Sequence, residues 1–179
     1  MNRAVVILPT YNERENIAPL IGQIQNQFRH ITNYQMSILV VDDNSPDGTQ
    51  IVVRQLQKQY KNVYLLTGDR EGLGKAYLRG MDYAIAKLKA DIMFEMDADH
   101  SHDPKVIPEF LKKVDQGYDL VIGSRYIKGG SIPANWGLHR KIFSIFGNLL
   151  VRILLFHFSH HEWTSGYRAI RVPLYQKIK

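Results

Sequence analysis

The sequence contains no cysteine among its 179 residues. This absence excludes disulfide bonds and thiolate metal sites, and it agrees with a reducing compartment. The composition is otherwise ordinary, because hydrophobic residues make up 45% of the chain and charged residues 22%. These values are typical of a globular protein, and a chain of this length can bury a full hydrophobic core.

The sequence also lacks long apolar runs. The first run, Ala4 to Leu8, is too short for a secretory signal peptide. The most apolar segment, Leu138 to Phe158, is interrupted by Gly147, Asn148 and Arg152. We therefore expect no membrane-spanning helix and no signal peptide in this sequence.

Two common phosphate-binding loops are excluded by their spacing. The stretch "GLGKAY" resembles part of a Walker loop, but Asp69 stands at the first glycine position and Ala76 at the Ser/Thr position. The dinucleotide-binding pattern fails because Tyr77 stands at the position of its third glycine. The sequence therefore predicts neither a P-loop NTPase nor a Rossmann dehydrogenase.

Short apolar runs alternate with amphipathic helical patterns along most of the chain. A helix beginning after Asn12, with Asn12 as its N-cap and Glu15 completing a capping box, follows the first run. Such an alternation predicts an α/β fold, with a doubly wound, mostly parallel sheet and helices on both faces. The predicted strands are residues 4–8, 36–41, 63–67, 91–96 and 119–123.

Polar loops follow four of the predicted strands. They read "PTYNE", "DDNSPDGT", "DADHSHD" and "GSRY" in chain order. Ligands of doubly wound sheets bind beyond the carboxyl ends of the strands, so these loops are predicted to line one crevice. The net charge of +6 favours an anionic partner such as a phosphate group, a nucleic acid or a membrane surface.

Asp97 and Asp99 follow the fourth strand and are separated by one small residue. If the strand continues to them, its period of two places both carboxylates on one face, where they could share Mg²⁺ or Mn²⁺ with a diphosphate. A solvated turn is the alternative interpretation of these acids. His100 and His102 are predicted to be turn residues, since no further ligands occur at metal-binding spacing.

Five motifs in this order resemble a known family. "PTYNERENI", "VVDDNSPDGT", "GLGKAY", "DADHSHDP" and "VIGSRY" are similar to the inverting nucleotide-sugar glycosyltransferases of GT-A fold. "NWGLHRKIFSIFGN" and "TSGYRAIR" narrow the resemblance to the polyprenyl-phosphate hexosyltransferases, the dolichol-phosphate mannose synthase-like family. The resemblance covers nearly the whole chain and implies a nucleotide-diphospho-sugar transferase fold.

The resemblance implies a role for each matching residue. Asp97 and Asp99 would bind the metal, Asp99 and Arg125 would be the catalytic residues, and Arg125 would contact the donor or the incoming phosphate. Glu95 departs from the apolar residue usual at its position, and we assign it no role. The donor-binding residues implied by the resemblance are Pro9, Tyr11, Glu13, Val41, Asp43, Asp97, Ala98, Asp99 and Arg125.

The implied reaction is the transfer of a hexose, mannose from GDP-mannose as the first choice, to a polyprenyl or dolichyl monophosphate with inversion. The cofactor would be a divalent cation, Mg²⁺ or Mn²⁺, and nucleic acid would not be a partner. The alternatives are a UDP-glucose-dependent polyprenyl-phosphate glucosyltransferase, a transferase with a soluble acceptor, and a non-catalytic nucleotide-sugar-binding subunit.

The segment Leu138 to Phe158 is predicted to be an amphipathic helix. Arg140, Ser144, Asn148 and Arg152 recur every four residues and form one polar stripe. Such a helix could lie in a membrane interface, which predicts a cytoplasmic protein in peripheral contact with a membrane; a core helix with one wet face is the alternative. The candidate acceptor-phosphate residues are Arg140, Lys141 and Arg168.

The chain is expected to be a single glycosyltransferase domain spanning residues 1–179. Chains of the resembled family continue after the equivalent of "TSGYRAIR", so this one is expected to lack their C-terminal part. We expect poor turnover from such a short chain, together with a partner subunit or self-association.

Overall fold

The computed structural model describes residues 1–127, 137–154, 156, 162–163 and 165–179, with the backbone alone for residues 138, 140–142 and 145. This part of the chain forms two compact units. The first unit comprises Met1–Val121 and Tyr167–Lys179, and the second comprises Ile122–Gly166.

Strands and helices alternate along the described chain, as the sequence predicts. The strands are β1 (Asn2–Thr10), β2 (Tyr34–Asp42), β3 (Val63–Thr67), β4 (Ile92–Glu95), β5 (Leu120–Ile122) and β6 (Arg168–Arg171). The helices are α1 (Arg14–Phe28), α2 (Thr49–Gln59), α3 (Leu73–Ala86), α4 (Ile107–Asp115), preceded by the 3₁₀ turn Pro104–Val106, α5 (Leu138–Leu154) and α6 (Val172–Ile178).

The strands form one sheet in the order β3-β2-β1-β4-β6-β5. β1 pairs in parallel with β2 and β4, and β2 pairs in parallel with β3. β6 runs antiparallel to β4, with Glu95 opposite Arg168. The predicted mostly parallel sheet is therefore confirmed, whereas β6 is a strand that the sequence analysis did not predict.

Helices cover both faces of the sheet. Alternate residues of β1 and β2, such as Val6 and Val40, pack with α1, α2 and α4. Their neighbours, such as Ile7 and Val41, pack with α3 and α6. Each central strand is buried on both sides, which explains why these strands are continuous apolar runs in the sequence.

Helix α3 lies unusually close to the sheet at Gly80. A Cβ atom at this position would lie 2.7 Å from Cγ2 of Ile7 and 2.8 Å from Cγ2 of Val41. The helix begins after Gly72, whose φ of +98° is accessible to glycine at little cost. Gly72 thus sets where α3 begins, and Gly80 sets how closely the helix packs on the sheet. Residues of this helix reach the edge of the sheet.

Three local expectations need correction or completion. Asn12 is not an N-cap: it has a φ of +62°, and α1 begins at Arg14 with Glu13 before it. β4 ends at Glu95, so the period of a strand does not place Asp97 and Asp99. The helix predicted from Leu138 is confirmed to Leu154, while residues 155 and 157–158 lie outside the described chain.

In the second unit, the polar stripe of α5 is engaged with protein groups. The Tyr126 hydroxyl donates to Ser144 Oγ at 2.6 Å, and Asn148, which is 4% exposed, accepts a hydrogen bond from the Trp163 N–H at 2.6 Å. At Ser144 and Asn148, the polar stripe is therefore bonded to protein groups, whereas the side chain of Arg140 lies outside the described part of the structure. The exposed apolar side chains among the described residues of α5 are Phe143, Phe146, Leu149, Leu150, Ile153 and Leu154. Among the described helices, none has the length and apolar character needed to cross a membrane.

Replacing Gly80 by alanine should destabilise the protein. The added methyl group would overlap two β-branched side chains of the sheet, and such overpacking costs about 1–3 kcal/mol. The measurement is the urea unfolding midpoint at constant slope. Gly74→Ala is the matched control on the same helix, because nothing lies within 4 Å of its added Cβ. Equal stability of the two variants would contradict the close approach of α3.

Candidate functional site

A cleft of about 360 Å³ lies in the first unit, where loops after β1, β2, β3 and β4 meet. This is the edge of the sheet at which doubly wound folds bind ligands. The lining residues are Pro9, Thr10, Tyr11, Glu13, Asp43, Arg70, Gly72, Leu73, Ala76, Asp97, Ala98 and Asp99. The polar members include four carboxylates and one guanidinium group.

Asp42 is the structural centre of the loops after β1 and β2. Its fully buried carboxylate accepts hydrogen bonds from the Thr10 hydroxyl (2.8 Å), the Ser45 N–H (2.9 Å) and hydroxyl (2.6 Å), and the Gln50 amide (2.8 Å). Ser45 Oγ in turn accepts from the Asn12 N–H. A buried carboxylate needs such partners, and here they join two loops rather than bind a ligand.

Asp47 provides a second link between the same two loops. Its carboxylate accepts from the Arg14 N–H at 3.0 Å and from the Thr49 N–H and hydroxyl at 2.9 and 2.6 Å. Thr49 Oγ1 accepts from the Glu13 N–H at 3.1 Å. Burial opposes ionisation of Asp47, but these hydrogen bonds outweigh it and lower its pKa. Asp42 and Asp47 thus act as loop-forming residues.

Tyr11, Glu13 and Asp43 lie together on one side of the cleft. The guanidinium carbon of Arg70 lies 3.8 Å from the centroid of the Tyr11 ring, within the range of a cation–π contact. Glu13 Oε2 accepts a hydrogen bond from the Asn16 amide at 2.7 Å. This part of the cleft combines an aromatic face with two hydrogen-bond acceptors.

Asp97 and Asp99 line the other part of the cleft, after β4 has ended. The Tyr77 hydroxyl, on α3, donates to Asp97 Oδ1 at 2.9 Å. Burial and the negative charge of Asp97 raise the pKa of Tyr77, which therefore stays a donor. Burial opposes ionisation of Asp99, but the hydrogen bonds from Ser101 outweigh it and lower the pKa of Asp99. Asp99 is consequently ionised at neutral pH.

His102 anchors the loop that carries both aspartates. Its Nδ1 accepts from the Asp97 N–H at 3.0 Å, and its Nε2 lies 3.8 Å from Asp97 Oδ2. Its ring stacks on Tyr167, with centroids 4.8 Å apart. Within the described residues, no group of three His, Asp or Glu side chains could hold a metal. The hydrogen bond from the Asp97 N–H and the stacking on Tyr167 give His102 a structural part in this turn.

Glu95 and Arg168 face each other across β4 and β6, with Oε2 and Nη1 3.5 Å apart. Burial raises the pKa of Glu95, and the charge of Arg168 opposes that effect. The unusual acid in β4 is thus paired with one of the predicted acceptor-phosphate residues. The side chains of the other two, Arg140 and Lys141, lie outside the described part of the structure.

Arg125 lies in the second unit and forms a bidentate ion pair with Glu162. Its Nε and Nη2 donate to the two carboxylate oxygens of Glu162, each at 2.8 Å. The hydrogen bonds to Glu162 raise the pKa of Arg125. Because this geometry holds the planar guanidinium in one orientation, Arg125 is a preorganised cation.

The sequence matches the family described as Glycosyl transferase family 2 over residues 5–178. The chain belongs to this family. Family membership confirms the resemblance drawn from the five ordered motifs.

Individual relatives are named for related activities. The chain is 41% identical to a polyprenol monophosphomannose synthase of Mycolicibacterium smegmatis, covering 98% of this chain and 64% of that protein. It is 40% identical to a dolichol-phosphate mannosyltransferase of Pyrococcus furiosus, covering 97% of this chain and 47% of that protein. The chain therefore spans between about half and two thirds of the length of these relatives.

Solved structures support the predicted fold. Glucosyl-3-phosphoglycerate synthase from Mycobacterium tuberculosis, solved with UDP, superposes with a TM-score of 0.66 at 20% identity, covering 97% of this chain and 58% of that one. A mannosyltransferase from Pyrobaculum calidifontis, solved with GDP-Man and Mn²⁺, gives a TM-score of 0.60 at 18% identity, covering 98% and 46%. The GT-A fold expected for a family 2 glycosyltransferase is confirmed.

The cleft brings together most of the donor residues predicted for a family 2 glycosyltransferase. Val41 does not line it, because this side chain is fully buried in the core, and Arg125 lies in the second unit. Sequence reasoning missed Arg70, Gly72, Leu73 and Ala76 in the lining. A signal for Arg70 existed, since a base precedes the "GLGKAY" glycines after β3.

Proposed function

We propose that the protein transfers mannose from GDP-mannose to a polyprenyl monophosphate, with inversion at the anomeric carbon. The observation that carries this proposal is the juxtaposition of Tyr11, Glu13, Asp43, Asp97 and Asp99 in one cleft. The relatives named as polyprenol monophosphomannose synthase and dolichol-phosphate mannosyltransferase favour mannose and a lipid phosphate.

The acidic side of the cleft favours guanine as the base of the donor. Glu13 and Asp43 offer only acceptor oxygens when ionised. Guanine presents its N1–H and 2-amino group as adjacent donors, whereas uracil presents the single N3–H. Tyr11 would stack on either base, so the two carboxylates carry the preference for GDP over UDP.

A divalent cation fits the other side of the cleft. Asp97 and Asp99 supply hard oxygen ligands, and Mg²⁺ is commonly bound by one or two carboxylates together with substrate phosphates. Mg²⁺ or Mn²⁺ bound there would neutralise charge on the departing diphosphate. Tyr77 would hold Asp97 in a fixed orientation through its hydrogen bond to Oδ1, as outer partners of metal ligands commonly do.

The proposed reaction needs little proton transfer. An anionic oxygen of the lipid phosphate would attack the anomeric carbon while the bond from that carbon to the diphosphate breaks, and the diphosphate oxygen keeps the electron pair. An acceptor that is already ionised requires no strong general base. The residues would therefore act by alignment and charge stabilisation, with Asp99 at the diphosphate.

Arg125 is proposed to contact the donor or the incoming phosphate. Its bidentate pair with Glu162 fixes the plane of the guanidinium group but also compensates its charge, so the support for this role comes from the position of Arg125 in the family motif "VIGSRY". Arg140 and Lys141 remain proposed acceptor-phosphate residues. Arg168 is a weaker choice for that role, since Glu95 already compensates its charge.

The exposed face of α5 supports peripheral membrane contact. Phe143 is 76% exposed, Phe146 64% and Leu150 57%, while Ser144 and Asn148 of the polar stripe are hydrogen-bonded within the second unit. A lipid acceptor is delivered from a membrane, and an apolar helix face can enter the interface. The net charge of +6 adds attraction to anionic lipids.

Asp99→Asn should weaken metal-dependent nucleotide binding at least tenfold, equivalent to about 1.4 kcal/mol. The amide removes one anionic ligand from the proposed cation site. Calorimetry of GDP binding with Mn²⁺ and with EDTA measures the effect. Glu109→Gln, at an exposed carboxylate of α4 outside the cleft lining, is the matched control. Equal GDP affinity for wild type with and without Mn²⁺ would refute the metal role.

Transfer of labelled mannose from GDP-mannose to polyprenyl phosphate in the presence of Mn²⁺ is the direct test of the proposed reaction. We expect a labelled lipid with the wild-type protein and at least a hundredfold less with Asp99→Asn. UDP-glucose in a parallel reaction tests the second donor. Tight GDP binding without any labelled lipid would reject the enzyme and favour a nucleotide-sugar-binding subunit.

Vesicle flotation should show binding to anionic membranes at low salt. Phe143→Ser combined with Phe146→Ser should reduce the bound fraction at least tenfold, because each Phe contributes about 1.5–3 kcal/mol when buried. Ile51→Ser, at a 64% exposed apolar position on α2, is the matched control. Absence of wild-type protein from the floating fraction at low salt would argue against membrane contact.

A further inference from the structure

Arg79 lies on α3 behind the cleft and contacts two of the loops that form it. Its Nη2 donates to Asp43 Oδ1 in a short ion pair, and its Nη1 donates to the Asp69 carbonyl oxygen at 3.2 Å. The side chain of Asp43 is 9% exposed, so this ion pair is largely buried. Arg79 itself does not line the cleft.

The loop after β3 lies flat against this guanidinium group. A Cβ atom at Gly68 would lie 2.7 Å from Cζ of Arg79, so a larger residue there would have to displace the guanidinium group. Two residues further along, Arg70 covers the ring of Tyr11. Arg79 therefore joins the carboxylate of Asp43 to the loop that carries Arg70.

The two oxygens of Asp43 have different surroundings. Oδ1 is bonded to Arg79, whereas Oδ2 accepts no hydrogen bond from the described residues. The Asp43 N–H donates to the Thr10 carbonyl oxygen at 3.0 Å, which fixes the backbone. With the backbone fixed and one oxygen bonded, the carboxylate has one free acceptor in a defined position.

We propose that Arg79 is a positioning residue for recognition of the nucleotide base. It holds Asp43 and the loop of residues 68–72 in the arrangement that distinguishes one base from another, without touching the donor. This inference rests on the proposed nucleotide-sugar donor and goes beyond it, since it assigns base discrimination to a residue outside the cleft.

The charge of Arg79 matters because Asp43 is nearly buried. Removing one partner of a buried ion pair leaves the other charge uncompensated, and that carboxylate then turns towards water or another cation. Lysine restores the positive charge. Its single ammonium group, however, does not reproduce the planar guanidinium group that donates to both Asp43 and the Asp69 carbonyl oxygen. The two substitutions therefore separate charge from geometry.

The test compares the affinities of Arg79→Met, Arg79→Lys and wild type for GDP and for UDP, each with Mn²⁺. We expect Arg79→Met to bind GDP at least tenfold more weakly than wild type does. Its ratio of GDP affinity to UDP affinity should also be at least fivefold lower than that of wild type. Arg79→Lys should recover part of both. Arg54→Met, on an exposed position of α2, is the matched control for loss of one positive charge and should behave as wild type.

A double-mutant cycle shows whether Arg79 acts through Asp43. In the Asp43→Asn background, Arg79→Met should weaken GDP binding less than threefold further, because the group that it positions is already changed. The double variant also removes both charges of the buried pair, so it serves as the folded reference if Arg79→Met alone unfolds.

The outcomes distinguish this inference from the proposed function. If wild type binds neither GDP nor UDP, the proposed function fails and the inference with it. If wild type binds nucleotide but Arg79→Met only lowers the melting temperature, with both affinities and their ratio unchanged, Arg79 is merely structural and the inference alone is overturned.

Discussion

The close contact between helix α3 and the sheet at Gly80 is the constraint on which the site depends. With no side chain at this position, the helix rests directly on Ile7 and Val41. From that depth, Tyr77 reaches Asp97 after β4, and Arg79 reaches Asp43 after β2. One helix thereby fixes carboxylates on both sides of the cleft, although they are more than fifty positions apart in the chain.

Adjacent aspartates at the end of β2 have separate tasks because a strand alternates its faces. Asp42 points to the face covered by α1 and α2, where its carboxylate accepts four hydrogen bonds. Asp43 continues the face of Val41 and meets α3. The pair "DD" thus contains one residue that builds the loops and one that lines the cleft.

Much of the fold could be predicted from the sequence, because buried parallel strands are apolar runs and the polar loops after them are conspicuous. β6 could not, since a four-residue strand reading Arg-Ala-Ile-Arg carries no clear period. Three side-chain pairs could not be predicted either, because they arise from tertiary packing. They are Arg79 with Asp43, His102 with Asp97, and Glu162 with Arg125. Asp97 and Asp99 both line the cleft, as expected for a loop that follows a central strand, but the strand period does not place them because β4 stops before them.

The reversed polarity of α5 has a consequence for how substitutions in this helix are tolerated. In an ordinary surface helix, the apolar residues maintain folding and the polar ones vary freely. Here Asn148 is buried with several hydrogen-bond partners, while Phe143 and Leu154 project from the fold. Substitutions of Ser144 and Asn148 would therefore disturb the fold more than substitutions of the exposed apolar residues of the same helix.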